Sequence, residues 1–538
     1  MLALIPSTFE YNDDEQEMQR EVRIGIPDEN EKHEVGKSAT QWPRQHSFQV
    51  KNLNNLKINL IDTPGVGDTG GIEKDRENFQ NILDFLKCYE KLHAVCILMK
   101  PNQARLTVAF RFCVQELLSH LHISLAKNMM FCFTHTRGTF YNPGDTLKSL
   151  RELLKEKGVN VTLKNKTTYF CFDNESFRML ACLNEGITID KKKLELFSGS
   201  WSFSSEMTHT MFDHIRGLPP HETQNTISMN NAKSIVTSLG KPMAEILQLI
   251  EHNKEEGEKR KLNLQAVKHD IAKFKEDLEF PGYSLETTKL ENPSTVCTHA
   301  DCVKHVQVGA SRVSNTVYDT VCHENCGTKG LSTETANNKN LKNCRAFRVS
   351  RKYTTQKFDK VGQPCNNCQH DYKLHMHITY TTKIVQKKFF SEGVQKKIEE
   401  KGNLKDMQKE ALEQLQNTIE QLEGEREIIM SSAAKFAAFM MKTALIAYND
   451  AFNEYLDQLI EDEKSKPDCI RDLKRVTKLK EDKEKYAQQI NIIKDALKLK
   501  QQNKDTNIEA KDIYELRDQL YKLPHFGSNI KDMIGITN

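Results

Sequence analysis

The chain has 538 residues, enough for roughly two to four domains with a core each. Its net charge of +3, 28% charged residues and mean hydropathy of −0.63 give no global field for a nucleic-acid partner and suit long polar helices. No run approaches the about 18 apolar residues of a membrane span. The nearest, 433–447, carries Lys435 and Lys442, and the first residues lack the basic start of a signal peptide, so a cytoplasmic protein is expected.

In chain order, 21–26 predicts a strand, and 47–50 leads by a short hairpin into a strand at 56–62. That strand ends in Asp62-Thr63-Pro64-Gly65. Helical spacing at 72–89, 106–121 and 145–157 alternates with apolar strand runs at 93–99, 127–134 and 168–173. Near-continuous apolar runs suit parallel strands covered on both faces. The alternation implies an α/β, doubly wound sheet over 1–190.

The stretch Leu60-Ile61-Asp62-Thr63-Pro64-Gly65-Val66-Gly67-Asp68-Thr69 resembles the switch II motif of the septin-like and GIMAP-type (immunity-associated) P-loop GTPases. The resemblance implies that Asp62 reaches Mg²⁺, usually through water, and that the Gly65 amide approaches a γ-phosphate. Ser38-Ala39-Thr40-Gln41 resembles the switch I segment, with Thr40 the hydroxyl on Mg²⁺ or, otherwise, part of a polar loop without a ligand. Cys171-Phe172-Asp173-Asn174-Glu175 looks like the final base-contacting loop, with Asn174 either the contact or part of a strand-end turn.

The same family resemblance shows what departs from its pattern. Gly36-Lys37-Ser38 is not a phosphate loop, because G-x-x-x-x-G-K-[ST] needs a glycine where Glu31 sits. Thr134-His135-Thr136-Arg137 stands where the family's base-specificity motif carries an aspartate, so preference for guanine is weakened. The strand, phosphate loop and helix that precede switch I in the family do not precede it here. The expectation is an incomplete P-loop NTPase-like sheet: a truncated product, or a domain without nucleotide competence. Two functions follow. One is a guanine-nucleotide-binding protein using GTP and Mg²⁺, with switches controlling assembly; the other is a nucleotide-independent scaffold that binds protein partners.

Residues 191–290 read as a helical connector. A helix at 200–215 stops at Gly217-Leu218-Pro219-Pro220, and spacing from 231 to 250 is kinked or interrupted at Gly240 and Pro242. The mixed charge run 251–261 reads as a solvated helix, and apolar spacing then continues to Pro281-Gly282.

Seven of the 14 cysteines fall between Cys297 and Cys368, mixed with histidines. Cys297-x-His299-x-x-Cys302, Cys322-His323-x-x-Cys326, Cys344, Cys365-x-x-Cys368-x-His370 and His375-x-His377 offer the soft and borderline ligands zinc takes, in a segment (291–385) too poor in apolar groups for a core of its own. The expected ligands of one or two structural zinc ions are Cys322, Cys326, Cys365, Cys368, Cys297, Cys302, His370 and His375. Cys344 reads as a core thiol and His377 as a surface residue. No His-Glu-x-x-His element supplies a catalytic base.

From 386 to 510 a helical, coiled-coil region is expected. Leu412, Leu415, Ile419, Leu422, Ile429, Ala433, Phe436 and Met440 form one heptad seam, and Leu479, Tyr486, Ile490, Ile493 and Leu497 a second. An intramolecular bundle and a dimeric coiled coil fit equally, with protein partners or a second copy as the occupant. Residues 511–538 read as a tail. The layout resembles that of large animal proteins carrying a G domain.

Overall fold

The computed structural model describes residues 5–13, 18–26, 28–31, 39–51, 55–65, 72–102, 108–267, 270–278, 281–307, 314–318, 320–328, 339–347, 364–388, 390–448 and 508–534, with 457, 460, 476, 480 and 483. The chain is a mixed α/β protein of two units, Met1–Asn231 with Met440–Tyr455, and Ala232–Phe439 with Leu456–Asn538. No described helix is long and apolar enough to cross a membrane.

In the first unit, strands Val95–Met99, Met129–Phe133 and Tyr169–Cys171 form a parallel sheet in that order. Successive side chains of a strand point to opposite faces, so the all-apolar middle strand must be covered twice. Met129, Phe131 and Phe133 pack with Val114, Leu118, Leu150 and Leu154 of helices Val108–His120 and Thr146–Glu156. Met130 packs with Phe170 and Met207, the latter on helix Lys191–Arg216. The alternation expected from the sequence is present in these elements.

Other parts of the unit differ from expectation. Arg44–Val50 and Leu56–Asp62 pair antiparallel, but among the described residues this hairpin is a sheet separate from the parallel one. The N-terminal strand is half of a further hairpin, Ser7–Asp13 with Met18–Ile24, whose Val22 and Ile24 are buried against Met179, Cys182 and Ile187. Helix Glu175–Asn184, which carries Met179 and Cys182, had no separate signal in the sequence reading.

The second unit is built on residues 232–266 of the helix Thr223–Ala266, which contains Pro242 without ending there. An interior proline loses one backbone bond and costs about 3 kcal/mol. Burial of Leu239, Met243, Ile246, Leu249 and Ile250 on both sides of it offsets that cost.

Helix Leu404–Thr443 lies antiparallel to it: Gln408 Nε2 donates to the Leu264 carbonyl at 3.0 Å, Lys261 Nζ to Gln416 Oε1 at 2.6 Å, Lys254 pairs with Glu423, and Arg426 Nε lies 3.6 Å from Glu251. The charged run 251–261 therefore supplies cross-helix partners on one side. Seam residues Leu415 and Ile419 share a core with Leu264, Phe274 and Leu278, so this part of the seam is filled within the chain. The second seam lies outside the described residues.

The segment 511–538, expected as a tail, contains helices Ala510–Leu520 and Gly527–Ile534, with Leu520 and Ile530 fully buried. Asn529 donates to the Leu285 carbonyl, and Glu425 accepts the His525 amide at 2.5 Å. Short apolar spacings with a turn between them explain why the segment reads weakly alone.

Candidate metal centre

The Cys/His residues are gathered on a three-stranded antiparallel sheet in the order Val321–His323, Pro281–Cys297, His375–Lys388. Cys297 stands opposite His375, Val296 opposite Met376, and Thr295 opposite His377. Residues directly opposite share a face, and neighbours along a strand alternate. One face therefore carries Cys297, His375, Thr295 and His377. The other carries Val296, Met376 and Ile378, which form a buried apolar cluster. His377, expected at the surface, is 2% exposed because it lies on the inward face with His375.

Two ligand groups meet at Cys368. One is Cys297, Cys302, Cys368 and His370; the other is Cys322, Cys365, Cys368 and His375; within each group, one ligand atom per residue lies within 4.8 Å of the others. Tetrahedral zinc, with bonds of about 2.3 Å to sulfur and about 2.0 Å to nitrogen, places its ligand atoms roughly 3.3 to 3.8 Å apart. His370 Nδ1 lies 3.5 Å from Cys297 Sγ and 3.5 Å from Cys302 Sγ. Cys368 Sγ lies 3.6 Å from Cys322 Sγ and 3.2 Å from His375 Nε2. These spacings fit the ion.

Local backbone structure holds the sulfurs in place. The amide two residues on points at the sulfur in Cys297 (His299 N, 3.5 Å) and Cys365 (Asn367 N, 3.4 Å), the arrangement that stabilises a thiolate. The turn that carries Cys365 and Cys368 is closed by the Gln369 amide on the Cys365 carbonyl at 2.9 Å, with Gln369 at φ 63°. Burial pushes the Cys297 thiol well above its ordinary range. Cys365 is held down at about 3, chiefly by its hydrogen bond with Cys322, with His375 and backbone amides opposing the cost of burial. Cys322 is correspondingly raised. Zinc takes these residues as thiolates, so their protons leave on binding.

Cys326, expected among the same ligands, lies in a different group with Cys344 and His323. The register of the ladder shifts between Thr295 and Val296, leaving Cys322 as the extra residue of a bulge. Adjacent Cys322 and His323 consequently serve different groups. His323, not among the expected ligands, and Cys344, expected as a core thiol, thus belong to a ligand group. The Cys-His dipeptide beginning Cys-His-x-x-Cys was the available signal.

The residues that the switch resemblance would place at a nucleotide lie in the first unit. Thr40 Oγ1 donates to Asp62 Oδ2 at 3.0 Å and lies 3.3 Å from Glu31 Oε2, and an isolated bridge joins Glu31 to Thr40. Burial, and then the neighbouring Asp62 charge, raise the Glu31 carboxyl. Gly65 is exposed, and its carbonyl accepts from Asn78 at 3.5 Å; Val66 to Thr69 and Gly36 to Ser38 fall outside the described residues. Asn174 is exposed at the N-terminus of Glu175–Asn184 and makes no side-chain cap. Its neighbour Asp173 is buried and accepts from the Ser200 hydroxyl. At the strand end expected to read the base, Thr136 Oγ1 donates to the Phe172 carbonyl at 3.0 Å and Arg137 pairs with Glu175.

Fold and site together define a mixed α/β protein with a Cys/His cluster of metal-binding geometry. Residues 289–381 match a family model described as "Domain of unknown function (DUF8206)", and this match spans the cluster. Neither the curated proteins nor the solved structures yield a match.

Proposed function

We propose that this chain is a zinc-organised, non-catalytic interaction protein, in which a pair of Zn²⁺ ions forms the folding core of the Cys/His module. The observation that carries the reading is the sharing of Cys368 by two otherwise separate ligand groups. Five thiolates and two imidazoles then give each ion four ligands, with Cys368 as a bridge. Every coordination position is filled by protein. Closed four-ligand sites are structural, whereas catalytic zinc keeps a position open for water or substrate. The metals would supply folding free energy on the order of 10 kcal/mol per site, which adds to the small apolar clusters of this segment. Free thiols in this number suit a reducing compartment such as the cytoplasm. The test is zinc K-edge absorption on the full chain: metal–metal scattering lost in Cys368→Ser is expected, and isolated mononuclear zinc contradicts the paired site.

A second reading is a guanine-nucleotide-binding, GTPase-like protein, with the first unit a P-loop NTPase-like fold. It is supported by the 3.0 Å approach of Thr40 to Asp62, the hydroxyl and carboxylate that the switch resemblance assigns to Mg²⁺. Gly65 and Asn174 would contact phosphate and base. Titration calorimetry with GTP and Mg²⁺ decides it. Micromolar binding abolished by Asp62→Ala supports nucleotide recognition, and no detectable heat leaves the scaffold reading alone.

A further inference from the structure

The Cys/His module holds a further group of soft ligands that the Cys368-centred pair does not use. One ligand atom each from His323, Cys326 and Cys344 lies within 4.8 Å of the others, and His323 Nδ1 lies 3.2 Å from Cys344 Sγ. Cys326 and Cys344 are 2% and 0% exposed. Beneath them is Thr295, whose Oγ1 lies 3.4 Å from Cys344 Sγ.

The sheet register adds a fourth residue. Thr295 stands opposite His323 on one neighbouring strand and opposite His377 on the other. All three side chains leave the same face, so the two imidazoles flank the space above Thr295, with strand axes about 10 Å apart in all. His377 Nε2 is buried and has no hydrogen-bond partner among the described residues. An unpartnered buried imidazole nitrogen is costly unless a donor or a metal ion takes its lone pair or an acceptor takes its N–H.

The sulfur environment repeats that of the pair. Ala346 N points at Cys344 Sγ from 3.5 Å, two residues on, as His299 and Asn367 do at Cys297 and Cys365. Thr328 Oγ1 lies 3.3 Å from Cys326 Sγ, again two residues on. The Ala346 amide is thus a donor aimed at sulfur, and the Thr328 hydroxyl is a polar partner of the second thiol.

We propose that His323, Cys326, Cys344 and His377 bind a further Zn²⁺, separate from the pair. Two thiolates and two imidazoles neutralise the ion and match its preference for nitrogen and sulfur over the oxygen ligands of Mg²⁺ or Ca²⁺. His377 closes the tetrahedron by turning its imidazole toward the thiolates. The ion ties the segment 339–347, through Cys344, to the two outer strands of the sheet, through His323 and His377.

The site rests on its own ligands, and the experiment separates it from the pair. Full-length protein purified with zinc is dialysed into metal-free buffer, its zinc is measured by elemental analysis, and its thiols are counted after denaturation in chelator. Cys344→Ser is expected to hold one zinc fewer per chain than the parent, whatever the parent total, and all 14 parent thiols are expected to titrate. Equal zinc in parent and Cys344→Ser overturns the proposal, as does a loss of two thiols to a Cys326–Cys344 disulfide. Where Cys344→Ser does not fold, His323→Gln is the second variant, with the same loss expected and the same equality overturning it. Cys368→Ser with unchanged zinc would instead refute the pair and leave this site standing.

Discussion

His375 donates from Nδ1 to the main-chain carbonyl of Asp371 at 2.8 Å, which turns its Nε2 toward Cys368 Sγ at 3.2 Å. A backbone acceptor behind a ligating histidine fixes the tautomer and the ring orientation, and such outer partners typically change metal affinity by about 10- to 100-fold. The strand supplies both parts, because His375 opens the strand just after the turn Tyr372–Leu374. His375→Ala is therefore expected to lower the zinc content by one ion of the pair per chain. Unchanged zinc in that variant would mean that His375 holds no ion.

Asn253 joins a helix to the module's first strand. Its side chain accepts the Tyr283 amide at 2.8 Å and donates to the Tyr283 carbonyl at 2.7 Å, all of it buried. Removing one partner leaves buried backbone groups unsatisfied, at about 1–3 kcal/mol. Asn253→Ala should lower the thermal midpoint accordingly while zinc content stays at the parent value. An unshifted midpoint would show that water replaces the amide.

The two long helices give a contrast between burial and charge. Phe274, which packs onto the second of them from the short helix Ile271–Leu278 and is fully buried beside Leu415 and Ile419, should cost about 3–5 kcal/mol on truncation to alanine. The Lys254–Glu423 pair is partly exposed, and Lys254→Ala should cost less than about 1 kcal/mol. Chemical unfolding of both variants checks the order. If Lys254→Ala is the more damaging, charge rather than apolar burial holds the helices together.

A pH effect is expected in the first unit. His221 is buried, bonded to Ser124 and Thr226, and its pKa is pushed down to about 4 by burial first and the His122 ring second. Unfolded, it titrates near the ordinary value of about 6.5, so the unfolded chain binds the proton more tightly. The folded state keeps its full advantage above about pH 6.5, loses it as pH falls, and levels off below about 4, a change of up to roughly 3 kcal/mol. Unfolding titrations between those limits should have a shallower slope in His221→Gln. Equal slopes would remove His221 as the source.

Periodicity made the sheet at Val95–Met99, Met129–Phe133 and Tyr169–Cys171 legible, because strands covered on both faces leave nearly unbroken apolar runs. It did not expose the pairing of Pro281–Cys297 with His375–Lys388, which joins segments about 90 residues apart through polar, threonine-rich strands. Pro242 reads locally as a break, yet apolar burial around it keeps the helix continuous. At the metal centre, spacing found the cysteines but not their grouping. The bulge at Cys322 separates it from Cys326, and the shared inward face of His375 and His377 emerges from cross-strand register.

Hydrogen exchange on the full chain, with and without a zinc chelator, shows whether metal organises the Cys/His module. Zinc-bound protein should protect the amides of Pro281–Cys297 and His375–Lys388, and chelation should release them while Met129–Phe133 in the first unit stays protected. Equal protection of the two module strands in both conditions would contradict a fold organised by metal.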